Sequence, residues 1–495
     1  MSDRARPFRF EDSEIARLAA SLREAGFTED GIAKAAGARS IARLSELAPE
    51  IALAHTVQPT PLNVLTRLFV IGTSVPAPVA VRTLGLPLDR LVSGGLLERT
   101  GKDVEAKVKL IECEGVVCAF DRSRPSDRVE APDFVMGPSD SARRLASLVL
   151  AGSWDDVLDL GAGCGLLALV LARSAKRVVA TDVNARATAF AAFNAKLNGV
   201  DVECLTSDLF AALAGRTFDL VISNPPFVIS PEDRLVYLNG GMKADGFCRR
   251  IAAEAPGYLR EGGILQMLTN WVVKDDEPWE ESVGSWFSGN GCDAWVMRSQ
   301  TTEPEAYARA WMGVGRLGPA PVDEARLQQW LDYYREEQIT AIDSGLVTMR
   351  KRAGDNWVRA FDGPVRLVPP LGEAMRERFS VVDVLARKRD EEMLDLVLTV
   401  NPDTRLTQDL RPTADGWSQV DAQLRLPHGL AYVETVDVYV AELVIACNGA
   451  RTVRAAIDHA ANAMGWSKED VPEETLGILR QLAEEGFLEP RRAGG

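Results

Sequence analysis

The sequence predicts an α/β protein built around a doubly wound, largely parallel sheet. Three observations carry this. Over residues 131–362, β-branched runs alternate with helical stretches. One run, Asp155–Leu160, leads into a glycine-rich turn, Gly161-Ala162-Gly163-Cys164-Gly165. Acids then stand at or just past the ends of successive runs, at Asp159, Asp182 and Asp208.

The elements follow in order. Residues 8–54 space Ile15, Leu18, Leu22 and Ile32 at helical intervals, with Gly26 and Gly37 as stops and Ser40 as a cap, so a helical segment is expected over 1–60. From Pro61, three helical segments (Leu62–Ile71, Pro76–Leu84 and Leu88–Leu97) precede a β-rich stretch, Glu105–Phe120, with a turn near Glu114-Gly115. Three helices followed by a hairpin is the order of a winged-helix module, placed at 61–130. The central part, 131–362, takes strands at Val157–Leu160, Val178–Asp182, Val202–Leu205, Leu220–Ser223 and Ile264–Thr269. Helices at Leu166–Arg173, Ala185–Leu197 and Ala244–Leu259 lie between them. Two more strands, Cys292–Arg298 and Leu346–Lys351, are separated by helices near Glu303–Trp311 and Glu324–Ile342. The last part, 363–495, opens with a helix, Gly372–Arg387, and takes strands at Leu394–Val400, Trp417–Leu424 and Ala431–Val436. It closes on a helical tail, Ala441–Cys447, Arg451–Met464 and Pro472–Glu485, which is again winged-helix-like.

A chain of 495 residues with 46% hydrophobic and 26% charged residues is ordinary globular material for several domains. Its net charge of −15 disfavours a non-specific hold on nucleic acid, where phosphate neutralisation dominates. Residues 61–130 carry ten Lys/Arg against nine Asp/Glu, and 436–490 carry four against ten, so neither winged segment offers a basic recognition face. Seven scattered cysteines without a C-x-x-C pair and three distant histidines, His55, His428 and His459, predict neither a disulfide framework nor a metal site. The start runs into Glu11, Asp12 and Glu14 rather than an apolar signal core, and no run approaches a membrane span. A cytoplasmic protein without membrane contact is expected.

The turn spacing is G-x-G-x-G rather than the dinucleotide G-x-G-x-x-G, which argues against a nicotinamide or flavin. Its glycines let the backbone approach a ligand at the carboxyl edge of the sheet, and a carboxylate at Asp182 can accept two ribose hydroxyls. Residues 131–300 resemble a Rossmann-like S-adenosylmethionine-dependent methyltransferase. That resemblance implies Gly161, Gly163 and Gly165 under the cofactor and Asp159 near its aminocarboxypropyl part. It further implies Asp182 on the ribose and Asp208, with Leu209 beside it, near the adenine. Asn184 serves either the same sugar or the cap of the helix that follows. Phe134, Val135 and Ser139 are placed to fold over the methionine end.

The second motif is Asn224-Pro225-Pro226-Phe227, at the end of the run Phe218–Ser223. Amide and aromatic amines are poor nucleophiles because the nitrogen lone pair is delocalised. The Asn224 side-chain carbonyl and the Pro225 backbone carbonyl can take hydrogen bonds from an NH2 group and localise that pair. Pro225 and Pro226 stiffen the loop, and Phe227 offers a flat apolar face. The tetrad resembles that of amino-methyltransferases. Gly240-Gly241-Met242-Lys243-Ala244-Asp245-Gly246-Phe247, followed by a helix carrying Arg249 and Arg250, resembles HemK-like release-factor glutamine methyltransferases. That family commonly has tyrosine in place of Phe227, an acid-glycine pair near Leu268–Trp271, and a single N-terminal helical bundle. Asn270 and Trp271, read at the end of the fifth strand, are candidate substrate-pocket residues.

The resemblance implies methyl transfer from S-adenosylmethionine to a nitrogen of a macromolecule. The acidic balance favours a protein or peptide amide over nucleic acid. Three alternatives stay open: methylation of an exocyclic base amine in ribosomal RNA or DNA, a winged-helix DNA-binding regulator with a cofactor-sensing domain, and a small-molecule methyltransferase if the pocket is closed.

Overall fold

A computed structural model describes residues 6–41, 43, 48–122, 131–232, 242–275, 277–312, 323–364, 366–368, 371–413 and 416–491. The chain divides into two compact units: 1–146 with 153–294 and 300–356, and 147–152 with 295–299 and 357–495.

The first unit begins with helices Asp12–Glu24 and Glu29–Ala36, the second capped by Thr28 and closed by Gly37 in the left-handed region. Helix Pro49–His55 follows, and Pro61–Leu65 runs on as a π-helix over Thr66–Ile71. A short strand β1 (Val75–Pro76), helices Ala77–Leu84 and Leu88–Ser93, and strands β2 (Leu97–Thr100) and β3 (Asp103–Ala106) come next, with an antiparallel sheet order β1-β3-β2. The third helix expected here stops at Ser93 because Gly94 and Gly95 interrupt it, and Leu97 already belongs to a strand. A separate hairpin, β4 (Val108–Cys113) and β5 (Val116–Asp121), turns at Glu114 and Gly115, both at positive φ.

The central sheet holds β6 (Asp156–Leu160), β7 (Arg177–Asp182), β8 (Glu203–Thr206), β9 (Phe218–Ser223), β10 (Leu259–Val273), β11 (Cys292–Thr302) and β12 (Ala341–Lys351) in the order β11-β12-β10-β9-β6-β7-β8. Neighbours from β10 to β8 run parallel, whereas β12 is antiparallel to β10. This is the doubly wound class expected, with the reversed strand inserted between β10 and β11. Parallel strands covered on both faces read as near-continuous apolar runs, and every residue of β6 is buried. Connections leave β6 and β9 toward opposite edges, so a crevice opens at their carboxyl ends.

Arg177 and Arg260 converge on Asp156, and Arg260 also holds Asp219, tying β6, β7, β9 and β10 together at the opposite end of the strands. Among the described residues no helix is long and apolar enough to cross a membrane.

The second unit contains β13 (Val358–Asp362), helix Gly372–Leu385, β14 (Val397–Val400), β15 (Arg405–Thr413), β16 (Gly416–Arg425) and β17 (Val433–Val436). Helices Val438–Ala446, Val453–Met464 and Thr475–Glu485 follow, with β18 (Asn448–Thr452) and β19 (Leu488–Pro490). Its two small sheets have the orders β18-β14-β19 and β15-β16-β17. Phe379, Leu398, Leu443, Leu482 and Phe487 are among its buried side chains.

Candidate active site

The carboxyl ends of β6, β7 and β9 frame a cavity of about 450 Å³. Its floor is the glycine turn. Gly161 N and Ala162 N both donate to the Thr181 carbonyl at the end of β7, at 2.8 and 2.9 Å, which pins the turn to the sheet edge. A Cβ added at Gly161 or Gly163 would meet no atom within 4 Å, so both open onto free space. Gly165 does not line the cavity. Its φ is +89°, and a side-chain methyl there would lie 3.0 Å from Ala191 Cβ, so close packing of helix Ala185–Asn198 explains the glycine.

Asp159, Gly161, Gly163, Asp182, Asn184, Asp208 and Leu209 all line this cavity. Asp159 is 1% exposed; one carboxyl oxygen accepts from Ala168 N at 2.9 Å, capping the next helix, and the other has no partner. Burial, with the Asp182 carboxylate adding to it, pushes Asp159 up to about 7. Asp182 accepts from Gly163 N at 2.9 Å and Asn184 N at 2.8 Å, one bond per oxygen, and its pKa is raised by burial. Each oxygen keeps a lone pair for a ligand. Asn184 caps helix Ala185–Asn198 through Arg186 N, and its NH2 donates to the Asp133 carbonyl. Asp208 pairs with Arg250 at 3.2 Å, and Leu209 beside it has a φ of +45°. The Thr181 hydroxyl is buried without a partner. Unpartnered polar atoms on residues that line a glycine-floored cavity fit a polar cofactor with an extended shape.

Phe134, Val135 and Ser139 also line the cavity. The segment is held by Asp121, which accepts from Val135 N at 2.9 Å and pairs with Arg186. Ser139 caps helix Asp140–Leu148 through Ala142 N.

Asn224, Pro225 and Pro226 form the wall after β9. The Asn224 NH2 group points at Ser141 Oγ, 3.2 Å away, and at Ser139 Oγ, 3.5 Å away. Its Oδ1 is buried and has no partner. An acceptor oxygen without a donor, on a residue that lines a cavity, can bind an N–H that a ligand brings.

Besides Gly165, three sequence-predicted residues lie elsewhere. Phe227 is outside the cavity lining and packs edge-on against Trp311 of helix Pro304–Met312, ring centroids 6.0 Å apart. Asn270 and Trp271 are likewise absent from the cavity wall. They are buried inside β10, because that strand continues to Val273 and pairs Asn270 with Ser344 and Trp271 with Asp343 on β12. Asn270 donates to Tyr307 Oη at 2.6 Å, and Trp271 stacks on Trp279. Gly240 and Gly241 lie outside the described residues. Ser141, Met242, Phe247 and Ile251 were given no site role from the sequence, although Met242 and Phe247 belong to the segment that resembles HemK-like enzymes. Ser141 had only its place two residues past Ser139 to mark it, whereas Phe247 and Ile251 share one face of helix Gly246–Glu254 and line the cavity with Met242.

A switch-point cavity with a glycine floor, acids at successive strand ends and an amide oxygen at its rim defines a Rossmann-like methyltransferase whose cofactor is S-adenosylmethionine. The Methyltransferase small domain family matches residues 139–286, and two domains of unknown function match 24–107 and 376–490. A Methanocaldococcus jannaschii protein named "Putative protein N5-glutamine methyltransferase" is 35% identical over 153 residues, covering 30% of this chain and 77% of that protein. A Release factor glutamine methyltransferase of Xylella fastidiosa is 38% identical over 129 residues, 23% of this chain and 46% of the relative. A Ribosomal RNA small subunit methyltransferase C of Alcanivorax borkumensis is 35% identical over 114 residues, 23% and 32% of the two chains. The chain thus spans about three quarters of the length of the Methanocaldococcus relative, about half of the release-factor enzyme and about a third of the ribosomal RNA enzyme. This chain belongs to the HemK-like family of S-adenosylmethionine-dependent methyltransferases.

Proposed function

We propose that this enzyme moves a methyl group from S-adenosylmethionine to a nitrogen of a protein or peptide, a side-chain amide of the glutamine kind. The observation that carries the reading is the buried, unpartnered Oδ1 of Asn224 beside the cavity. When bound, the cofactor supplies an electrophilic methyl carbon on a sulfonium. The chain's own task is to position the nitrogen and release its lone pair from conjugation. Asn224 Oδ1 and the Pro225 carbonyl do this by accepting the acceptor's N–H bonds, and the same bonds stabilise the positive charge that grows on nitrogen until the methylated nitrogen gives up one proton to solvent. Asp182 is assigned to the ribose hydroxyls, with Asn184 supporting it. Asp159 is assigned to the aminocarboxypropyl end, and Asp208 with Leu209 to the adenine. Gly161 and Gly163 give the cofactor room beneath it.

A polypeptide acceptor fits the net charge of −15 and the glutamine-directed names of two of the relatives. Seven unpaired cysteines suit a reducing, cytoplasmic setting.

Tritiated S-adenosylmethionine with cell extract, followed by separate protease and nuclease digestion, tests the acceptor class. Label released by protease alone is expected; label released by nuclease alone would move the reading to a base amine. Asn224→Ala should bind S-adenosylhomocysteine in calorimetry as the parent does while losing transfer at least about 100-fold. Asp182→Ala should instead weaken that binding at least about tenfold.

A further inference from the structure

We propose that Ser141 is a positioning residue that fixes which end of the Asn224 amide faces the acceptor. The inference rests on the role just given to Asn224. An asparagine amide has two ends of nearly equal shape and opposite hydrogen-bonding sense. Only one orientation leaves a carbonyl oxygen for the acceptor; turned by half a revolution, Asn224 would present N–H groups to an acceptor NH2 and oppose its approach. Something outside the tetrad must therefore choose between them.

The choice follows from a short relay that begins at a helix end. Ala142 N donates to Ser139 Oγ at 3.1 Å, because Ser139 caps helix Asp140–Leu148. Ser139 and Ser141 hydroxyl oxygens are 2.8 Å apart. Whichever of the two hydroxyls donates to the other, Ser141 Oγ keeps a lone pair, and it lies 3.2 Å from the Asn224 amide nitrogen against 3.5 Å for Ser139 Oγ. The amide NH2 group is drawn to the serines, and Oδ1 is left facing away from them, buried and free. Ser141 itself does not line the cavity, so it can act on the reaction only through the side chains it holds, Asn224 and Ser139.

The location outside the wall makes the test specific. Ser141→Ala in the full chain should lower the transfer rate at saturating tritiated S-adenosylmethionine roughly tenfold, with the protein fraction of a cell extract as acceptor. The KM for S-adenosylmethionine and the affinity for S-adenosylhomocysteine should stay within about twofold of the parent. Ser141→Thr, which keeps the hydroxyl, should restore the rate. In chain labelled with [15N]asparagine and bound to S-adenosylhomocysteine, the side-chain NH2 signals of Asn224, identified by their loss in Asn224→Ala, should shift in Ser141→Ala and return in Ser141→Thr. A parental rate together with unmoved signals in Ser141→Ala would overturn the inference. An equal loss of cofactor affinity and rate would also overturn it, since Ser141 would then serve the cofactor pocket. Full transfer by Asn224→Ala would bring down the underlying reading instead, whatever the amide signals show.

Discussion

Asp159 shows how much one buried carboxyl group can cost the fold that uses it. Sealed behind the glycine turn, it has a single hydrogen bond, from Ala168 N, and burial with Asp182 nearby raises it from 3.8 to about 7. Below about pH 4 the group is protonated in both folded and unfolded chains and contributes nothing. Between about pH 4 and 7 the folded chain holds a proton that the unfolded chain has lost, so stability falls as pH rises through this window and levels off above it. The displacement is worth on the order of 4 kcal/mol. Asp159→Asn keeps an oxygen for Ala168 N and removes the charge. Its melting temperature should match the parent near pH 4 and exceed it by several degrees at pH 8, read by calorimetric melts across that range. Parallel curves would mean that Asp159 is ionised in the free enzyme. The acid was legible in the sequence because it adjoins the glycines. The way Asn224 points was not, since the partners that orient it, Ser139 and Ser141, lie 85 and 83 residues away along the chain.

Turns and strands differ in how local their causes are. Gly163 and Gly165 both have positive φ, at 56° and 89°, yet they should respond differently to alanine. At Gly165 the new methyl meets Ala191 Cβ at 3.0 Å, so backbone strain and overpacking add, at about 2–3 kcal/mol in urea melts. At Gly163 nothing lies within 4 Å, so the strain alone should cost about 1–2 kcal/mol while S-adenosylhomocysteine binding weakens far more. Equal stability losses with intact binding at both would contradict this geometry. The strands beside the turn were legible because each is a compact, mostly apolar run with a polar residue at or next to its end. β10 was legible only in part. Its parallel partner ends at Ser223 opposite Met267, but antiparallel β12 carries it on to Val273, and that extension drew Asn270 and Trp271 into the sheet. β15 was missed because Arg405–Thr413 is an edge strand with Pro412 and charged residues, for which a core-facing pattern has no counterpart.

At the scale of the first unit, the segments before the methyltransferase match are part of its core. Phe8 stacks on Phe193 with centroids 3.8 Å apart and meets Phe190 edge-on, so the start of the chain covers helix Ala185–Asn198. Asn194 of that helix is fully buried; its Oδ1 accepts from Ala119 N at 2.8 Å and its NH2 donates to the carbonyls of Ala119 and Cys164, both at 2.9 Å. Hairpin β4–β5 is thereby joined to the glycine turn through one side chain. Leu18, Leu84, Leu110 and Cys118 share a continuous core with Cys164, Leu166 and Phe190. A chain beginning at residue 131 would uncover that apolar face and strand Asn194 without its hairpin partners. Such a truncation should lose cooperative thermal unfolding and bind an apolar dye, although it retains every residue assigned to the cofactor and to Asn224. Restoring residues 1–130 as a separate polypeptide is the stricter form of the experiment, since the hairpin could then re-dock on Asn194 and recover S-adenosylhomocysteine binding. A truncated chain that melts cooperatively and binds with parental affinity would show that the N-terminal segments only rest on the methyltransferase fold rather than complete it.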